Sequence, residues 1–599
     1  MCGISGIFNF SNNRIDNKEI IKKILIIQNE RGPENKDLWE SECKKITLGH
    51  NRLSIIDLSK NANQPFVTED KNYIITFNGE IYNYKELKDE LIKKNIFFKT
   101  NSDTEVILQS YKHWGLDFIK YLRGMYAFAI YDKIKKKLIL VRDPFGIKPL
   151  YYINQNRVFY FASQIKALLS IKDIPFSISK AGTCSYYMWG HIQEPFTLYN
   201  EIKSLEKGTI KVIDIEGKEN NSNYASIKET ILNSNYGKFN NESDAINYVK
   251  HALDQSVNYH NVSDVPITLL LSSGVDSNVL LASAAEQNKK NLDTLTLDFE
   301  FKGSKNESKI AIKSSKMNNI DHKIKKYTNN EIEKLINVFF KQMDSPTSDG
   351  LNNFLIANEV KKNNKKIMIS GVGADEIFFG YSSFKRIPNI FNLFKFFPKI
   401  NLKQGNIALK ILNNLNINPK YLGLFKYNNS FEKIFFLQRC TFMPEELKFL
   451  LDEKTLNEGL EELNIFENLE QDVKDFESNE LLIMYLEIEY YLCSRLLRDG
   501  DWSSMSHSVE MRTPYVDWFF FKSLLSVIKS NIKINKKILL DIYSKRLPHE
   551  LYNRKKTGFE IPHSKYFKLV SEKRGQFSKA IKNWSMLSID SYVKNNLDI

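Results

Sequence analysis

Cys2 stands directly behind the initiator methionine. Its small side chain favours removal of Met1, which would leave Cys2 with a free α-amine. Such an amine has a pKa near ~8, so it can take the thiol proton itself. Nucleophile and general base then share one residue, and no histidine is needed. A second reactive string lies far downstream, LLLSSGVDS from Leu269 to Ser277. Its small residues let backbone N–H groups line an anion cradle, and a helix starting behind it adds the positive end of its dipole. Asp276 cannot bind phosphate, but it can hold Mg²⁺ beside one. The loop lacks the Gly-Lys-Ser/Thr ending of the Walker motif.

Two different frameworks must position these groups. The first third reads as short strands broken by turns, among them Ile4–Phe10, Lys45–Leu48, Tyr73–Phe77, Ala127–Tyr131, Leu138–Val141 and Val158–Ala162. Helical patterns intervene at Lys18–Gln28 and Thr104–Trp114. Many strands with few helices suggest stacked antiparallel sheets. Asn220 to Asn241 is rich in Asn, Ser and Lys and reads as a surface linker. Beyond it the pattern changes. A helical segment (Ala245–Tyr259) leads to the apolar run ITLLL, the Ser/Gly turn and another helix, with strand-like runs at Leu292–Phe299 and Lys366–Ser370. That alternation indicates an α/β, doubly wound parallel sheet. From about Glu376 onward the chain reads as mostly helical.

Behind MCGI the sequence carries, in order, RGPE at Arg31, GHNRLSIIDLS at Gly49, FNGEIYN at Phe77, NSDTEV at Asn101 and RDPFGIKPLYY at Arg142. The set resembles the class II glutamine amidotransferase domain of glutamine-hydrolysing asparagine synthetases, from Cys2 to about Leu205. The resemblance implies an α+β, Ntn-hydrolase-type αββα sandwich. It implies that Cys2 attacks the glutamine carboxamide, with the Asn78 side chain and the Gly79 N–H as oxyanion hole. Arg52 would clamp the glutamine α-carboxylate and Asp103 would hold its α-ammonium. Leu53, Ser54, Ile55, Ile56 and Glu80 would complete the glutamine site.

The SSGVDS loop resembles the pyrophosphate-binding loop of ATP pyrophosphatases. SGVGADEIFFGY (Ser370–Tyr381), the stretch Arg498–Asp517 and NRKKTGF (Asn553–Phe559) resemble asparagine synthetase strings that accompany it. The implied cofactors are ATP and Mg²⁺. Leu271, Ser272, Ser273, Gly274, Val275, Asp276, Ser277, Leu297, Ser370, Gly371, Lys536 and Lys556 would bind ATP. Asp276 and Asp375 would hold the metal. The expected division is a glutaminase domain over 2–208, a linker over 209–241 and a synthetase domain over 242–599.

The implied reaction frees ammonia from glutamine, activates a carboxylate as its acyl-AMP and joins the two. Aspartate is the leading acceptor. Relatives that amidate sugar uronic acids or other carboxylates share the layout, and two departures bear on that choice. Val372 stands where Glu is common, and DSPTSD (Asp344–Asp349) replaces a DEP pattern. Elsewhere ERGPE replaces HRGPD, Gln164 replaces Glu, and Ser273 replaces Gly, none at an implied catalytic position. A β-lactam-forming cyclase would share both domains, but Cys2 argues against it. Sugar-isomerising and purine-pathway amidotransferases lack the SSGVDS loop.

The 599 residues are too many for one core, and 42 % hydrophobic residues suffice for two or more. The net charge of +14 is spread thinly through a Lys-, Asn- and Ile-rich chain, so no nucleic-acid partner is expected. Five cysteines without a CxxC pair argue against disulfide or zinc scaffolding and for a reducing compartment. No apolar run reaches membrane-span length, and the start does not resemble a signal peptide. The Phe-rich stretch Ile390–Ile400 reads as a buried or half-buried helix. A cytoplasmic enzyme is expected, with no membrane partner and with homodimerisation left open.

Overall fold

The computed structural model describes residues 2–11, 15–287, 291–300, 308–394, 420–530, 532, 534–554 and 580–596. In the first part the strands are β1 (Gly3–Asn9), β2 (Asn35–Glu40), β3 (Ile46–Arg52), β4 (Phe66–Val67), β5 (Tyr73–Ile81), β6 (Gly124–Asp132), β7 (Lys137–Arg142), β8 (Tyr151–Gln155), β9 (Val158–Ala162), β10 (Lys203–Ser204), β11 (Thr209–Asp214) and β12 (Glu219–Asn223). They form two six-stranded sheets, ordered β10-β8-β9-β1-β3-β2 and β12-β11-β7-β6-β5-β4.

Side chains alternate between the two faces of each sheet, because successive Cβ atoms on a strand point opposite ways. Ile4, Phe8, Ile46, Leu48, Phe159 and Phe161 from the first sheet meet Ile74, Ala127, Ala129, Leu138 and Leu140 from the second in one buried cluster. The outer faces take helices. Asn17–Ile27, capped by Asp16, buries Ile21, Ile24 and Leu25 against β1 and β3. Asp103–Trp114, capped by Ser102, buries Val106, Ile107 and Tyr111 and packs on β5. The result is the αββα sandwich.

The expectation of a linker from 209 fails for its first half. β11 pairs with β7 and β12 pairs with β11, so the second sheet runs on to Asn223. β12 is an edge strand with exposed polar side chains, ENNSN, and such a strand carries no apolar alternation. A helix at Ile227–Asn233 then buries Ile227 and Ile231. Within 209–241 the longest stretch without a regular element is 234–241, just before the helix Glu242–His260.

The second part holds a five-stranded, all-parallel sheet: β13 (Ile267–Leu270), β14 (Leu292–Phe299), β15 (His322–Tyr327), β16 (Ile367–Ile369) and β17 (Glu510–Arg512), ordered β15-β14-β13-β16-β17. The chain leaves β13 in one direction across the sheet and reaches β16 on the other side. That makes a topological switch point between them, where ligands of such sheets bind at the strands' carboxyl ends. SSGVDS follows β13 and SGVGADE follows β16, so both strings meet there. After Glu376 the one strand among the described residues is β17, three residues that follow the helix Arg498–Met505; the other regular elements there are helical. Of the stretch Ile390–Ile400, only Ile390–Phe394 is described. It closes the helix Ser383–Phe394, in which Leu393 is 64 % exposed.

The two parts meet through buried polar contacts. Arg31 donates to Asp501 at 2.8 and 3.3 Å, and Arg123 to Asp517 at 2.8 and 2.9 Å. Asp344 accepts from the Ile165 and Lys166 N–H groups at 3.1 and 3.2 Å.

Candidate active sites

β1 begins at Gly3 and is central in its sheet, which fixes Cys2 at the mouth of a cleft walled by β5 and the start of the helix at Asp103. The walls are Cys2, Arg52, Leu53, Ile55, Ile56, Gly79, Glu80 and Asp103, with Gln64 and Phe77. The Cys2 nitrogen donates to Asn78 Oδ1 at 3.0 Å. Asn78 Nδ2 is buried and makes no hydrogen bond among the described residues. A buried amide donor is costly to leave unmade, and an oxyanion beside Cys2 would satisfy it. Gly79 has φ +155°, and a Cβ there would lie 2.1 Å from the Met125 carbonyl oxygen. No other residue fits that approach of β5 to β6.

The expected glutamine ligands are brought together with two qualifications. Arg52 lines the cleft, but its fork also donates to the loop below it: to Ser59 O at 2.8 Å, to Asn63 Oδ1 at 2.7 Å and to Asp57 O. Ser54 is not a wall residue. Its N–H donates to Glu34 at 2.9 Å and its carbonyl accepts from Lys366 at 3.2 Å. Asp103 accepts from the Ile81 N–H at 3.1 Å, and burial pushes its carboxyl up to about 6. Burial also pushes Glu80 well above the usual carboxylate range, with Glu510 adding to it and Arg512 opposing. Burial raises the Cys2 thiol, and the charge at the amino terminus, the Leu53 N–H and Arg52 oppose the rise. A thiol so placed needs an adjacent base.

At the switch point, Ser272, Ser273 and Gly274 turn between β13 and the helix Val275–Glu286. The turn is held from within. Gly274 N–H donates to Ser272 Oγ at 3.0 Å, Ser272 N–H to Ser277 Oγ at 3.1 Å, and Asn278 Nδ2 to the Ser272 and Gly274 carbonyls at 2.9 and 2.6 Å. Ser273, in place of the usual glycine, is fully buried and leaves the turn intact. Gly371 abuts it: a Cβ there would lie 3.2 Å from Asp276 Cβ and 3.3 Å from Ser277 N. A cavity of about 970 Å³ opens between Leu271, Ser272, Asp276, Ser277, Leu297, Ser370, Gly371, Asp375 and Glu376. The larger cavity beside it, about 1480 Å³, shares Ser272, Asp276 and Asp375 and adds Ser273, Gly274, Val275 and Lys536.

Lys536 Nζ sits 2.7 Å from Asp276 Oδ2 and 2.5 Å from Asp375 Oδ1. Against its own burial, the two carboxylates hold this ammonium charged. Asp276 and Asp375 therefore converge on one point that already takes positive charge. No group of three or more His, Cys, Asp or Glu suited to a metal occurs among the described residues. Two carboxylates with room for phosphate oxygens and water suit Mg²⁺ rather than an all-protein cage. Beside them, burial and Asp375 push Glu376 up to about 8.

Lys556 lies outside the described residues. Arg554, two positions before it, donates to the Ser273 carbonyl at 2.8 Å and lines the larger cavity. Arg554 lies in NRKKTGF, the string whose lysines the sequence marks, so its presence there is a signal that could have found it.

This fold and these two sites define an Ntn-type glutaminase unit joined to an ATP-using synthetase unit, an ATP-dependent, glutamine-hydrolysing amidoligase. Comparison with known proteins agrees. A family model described as a glutamine amidotransferase domain matches residues 1–225, and one described as asparagine synthase matches 248–579. Glutamine-hydrolysing asparagine synthetase 1 of Bacillus subtilis is 30 % identical over 583 residues, covering 94 % of this chain and 87 % of that one. Glutamine-hydrolysing asparagine synthetase 3 of the same organism is 26 % identical over 595 residues, covering 96 % and 89 %. The amidase chry2 of Gibberella zeae is 28 % identical over 415 residues, covering 64 % and 60 %. The chain belongs to the asparagine synthase family.

Proposed function

We propose that this protein makes asparagine from aspartate, using glutamine as nitrogen donor and ATP with Mg²⁺ as activator. The observation that carries the reading is the pairing of two sites in one chain. Cys2 lines one cleft beside Asn78, whose Nδ2 makes no hydrogen bond among the described residues, and Asp276, Asp375 and Lys536 gather at the switch point. The similarity to the Bacillus subtilis synthetases, nearly end to end, supports aspartate as acceptor.

In this reading the residues divide the work as follows. Cys2, its proton taken by its own amine once Met1 is removed, attacks the glutamine carboxamide. Asn78 Nδ2 and the Gly79 N–H receive the oxyanion. Arg52 receives the α-carboxylate, and Asp103 and Glu80 the α-ammonium, between Leu53, Ile55 and Ile56. The loop Ser272–Ser277 cradles ATP phosphates, with Leu271, Leu297, Ser370 and Gly371 around the nucleotide. Asp276 and Asp375 would hold Mg²⁺, which supplies charge neutralisation for the leaving pyrophosphate. Lys536 and Lys556 add positive charge. Ammonia must cross between the sites unprotonated, and the buried interface around RDPFGIKPLYY supports a shielded route. The glutaminase domain is taken as 2–223 and the synthetase domain as 242–599, with a cytoplasmic setting in keeping with five free cysteines. Among the described residues no helix is long and apolar enough to cross a membrane. A homodimer is left to solution measurement.

The test is a substrate screen with ATP, Mg²⁺ and glutamine. Aspartate-dependent release of AMP and asparagine is expected. AMP release with a uronic acid and none with aspartate would contradict the choice of acceptor.

A further inference from the structure

β17 belongs to the synthetase sheet, yet its side chains reach the glutaminase cleft. Ile369 of β16 is registered with Arg512, and the Arg512 carbonyl accepts from the Ser370 N–H at 2.8 Å. At its other end, Arg512 is fully buried and gripped on three sides. Nε donates to Glu510 Oε1 at 2.5 Å, and Nη1 donates to the His260 and Val262 carbonyl oxygens at 2.8 and 2.6 Å. Nη2 makes no hydrogen bond among the described residues and faces Glu80 Oε2 at 3.5 Å. That carboxylate oxygen is also buried and also without a hydrogen bond. Glu80 follows Gly79 directly and lines the cleft with Cys2.

We propose that Arg512 is a positioning residue for glutamine, holding the Glu80 carboxylate ready for the glutamine α-ammonium from the side of the nucleotide-binding domain. The inference rests on the proposed role of the Cys2 cleft as a glutamine site. Three acids, Glu80, Asp103 and Glu510, crowd this boundary. A buried carboxylate beside another takes up a proton and loses its attraction for an ammonium ion, unless a cation is fixed near it. Arg512 is that cation: burial and then Glu510 raise the Glu80 carboxyl, and Arg512, 3.5 Å away, opposes the rise. Against the cost of burial it also keeps Glu510 below the usual range. Its planar fork is committed on the Nε and Nη1 sides, so it cannot swing away, and Nη2 is left to face Glu80. The same residue's backbone carries Ser370, so one residue abuts both sites.

The test uses the full-length enzyme and the double variant Arg512→Met with Glu510→Gln. It removes both charges together, so that Glu510 is not left as an uncompensated buried ion. Glutamine KM is read from glutamate release, and AMP formation is read with ammonium salt as nitrogen source. Glutamine KM should rise about tenfold or more, the scale of losing one partner of a buried charge pair. The ratio of glutamine- to ammonia-driven AMP formation should fall by a similar factor. Arg512→Lys, which keeps a charge but shortens the fork, should fall between. A wild-type glutamine KM in the double variant, or a parallel loss of both activities, would overturn the proposal. Should the double variant fail to fold, Arg512→Lys carries the test alone: an unchanged glutamine KM overturns it and a raised KM with ammonia use retained supports it. Wild-type protein that releases no glutamate from glutamine would instead overturn the functional reading beneath.

Discussion

Cys2 and Asp103 show how burial sets the chemistry of single residues here. Burial raises the Cys2 thiol, so the proposed attack calls for a base at the same residue. Cys2→Ala should therefore abolish glutamate release, at least about a thousandfold by the scale of lost nucleophiles. It should leave AMP formation with ammonium salt, and a coupled AMP assay with each nitrogen source checks this. Asp103 titrates near about 6, raised by burial. The ionised form is the one that attracts an ammonium ion, and an acid loses its charge as pH falls through its pKa. Glutamine KM should thus rise as pH drops from 7 to 5, steepest near about 6 in the free enzyme. Initial-rate measurements of glutamate release across that range check the sign. A KM that falls on acidification would contradict a binding role for Asp103.

At the scale of elements, the adenylating site depends on the turns after β13 and β16 lying against each other. A Cβ at Gly371 would lie 3.2 Å from Asp276 Cβ, so Gly371→Ala must push the two turns apart by a few tenths of an ångström. Overpacking of this kind costs about 1–3 kcal/mol. ATP KM is expected to rise about tenfold while glutamate release without ATP stays near wild type, which parallel assays would show. Much of this frame was legible in the sequence. β13, β14 and β16 are short apolar runs beside Ser/Gly turns, and Tyr73–Phe77 and Ala127–Tyr131 mark β5 and β6. What escaped has physical reasons. β12 is polar because it is an edge. β15, HKIKKY, is also an edge strand, and its lysines hide the alternation. β17 has only three residues, and its meaning lies in Arg512 meeting Glu80, a pairing that tertiary contact makes and local pattern cannot. Arg31–Asp501 is a pairing of the same kind. The residues named for the glutamine cleft converge, apart from Ser54.

At the scale of the whole molecule, two folds of different pattern, an antiparallel sandwich and a parallel sheet, are fastened by buried charges. Arg123 and Asp517 pair at 2.8 Å with side chains 8 % and 1 % exposed. Arg123→Ala removes one partner and should lower stability by about 3–5 kcal/mol, read by chemical denaturation. An unchanged unfolding midpoint would show that the pair contributes little to the fastening. The fastening matters for function because ammonia released into water at neutral pH becomes unreactive ammonium. The central claim is therefore that nitrogen freed at Cys2 goes directly to the activated carboxylate. Incubation with amide-¹⁵N glutamine, aspartate, ATP and a large excess of unlabelled ammonium salt tests it most directly. The account expects glutamate, AMP and product in equal amounts, with the label retained in the product amide. Product drawn mainly from the unlabelled ammonium, with the glutamine label lost to solution, would contradict it.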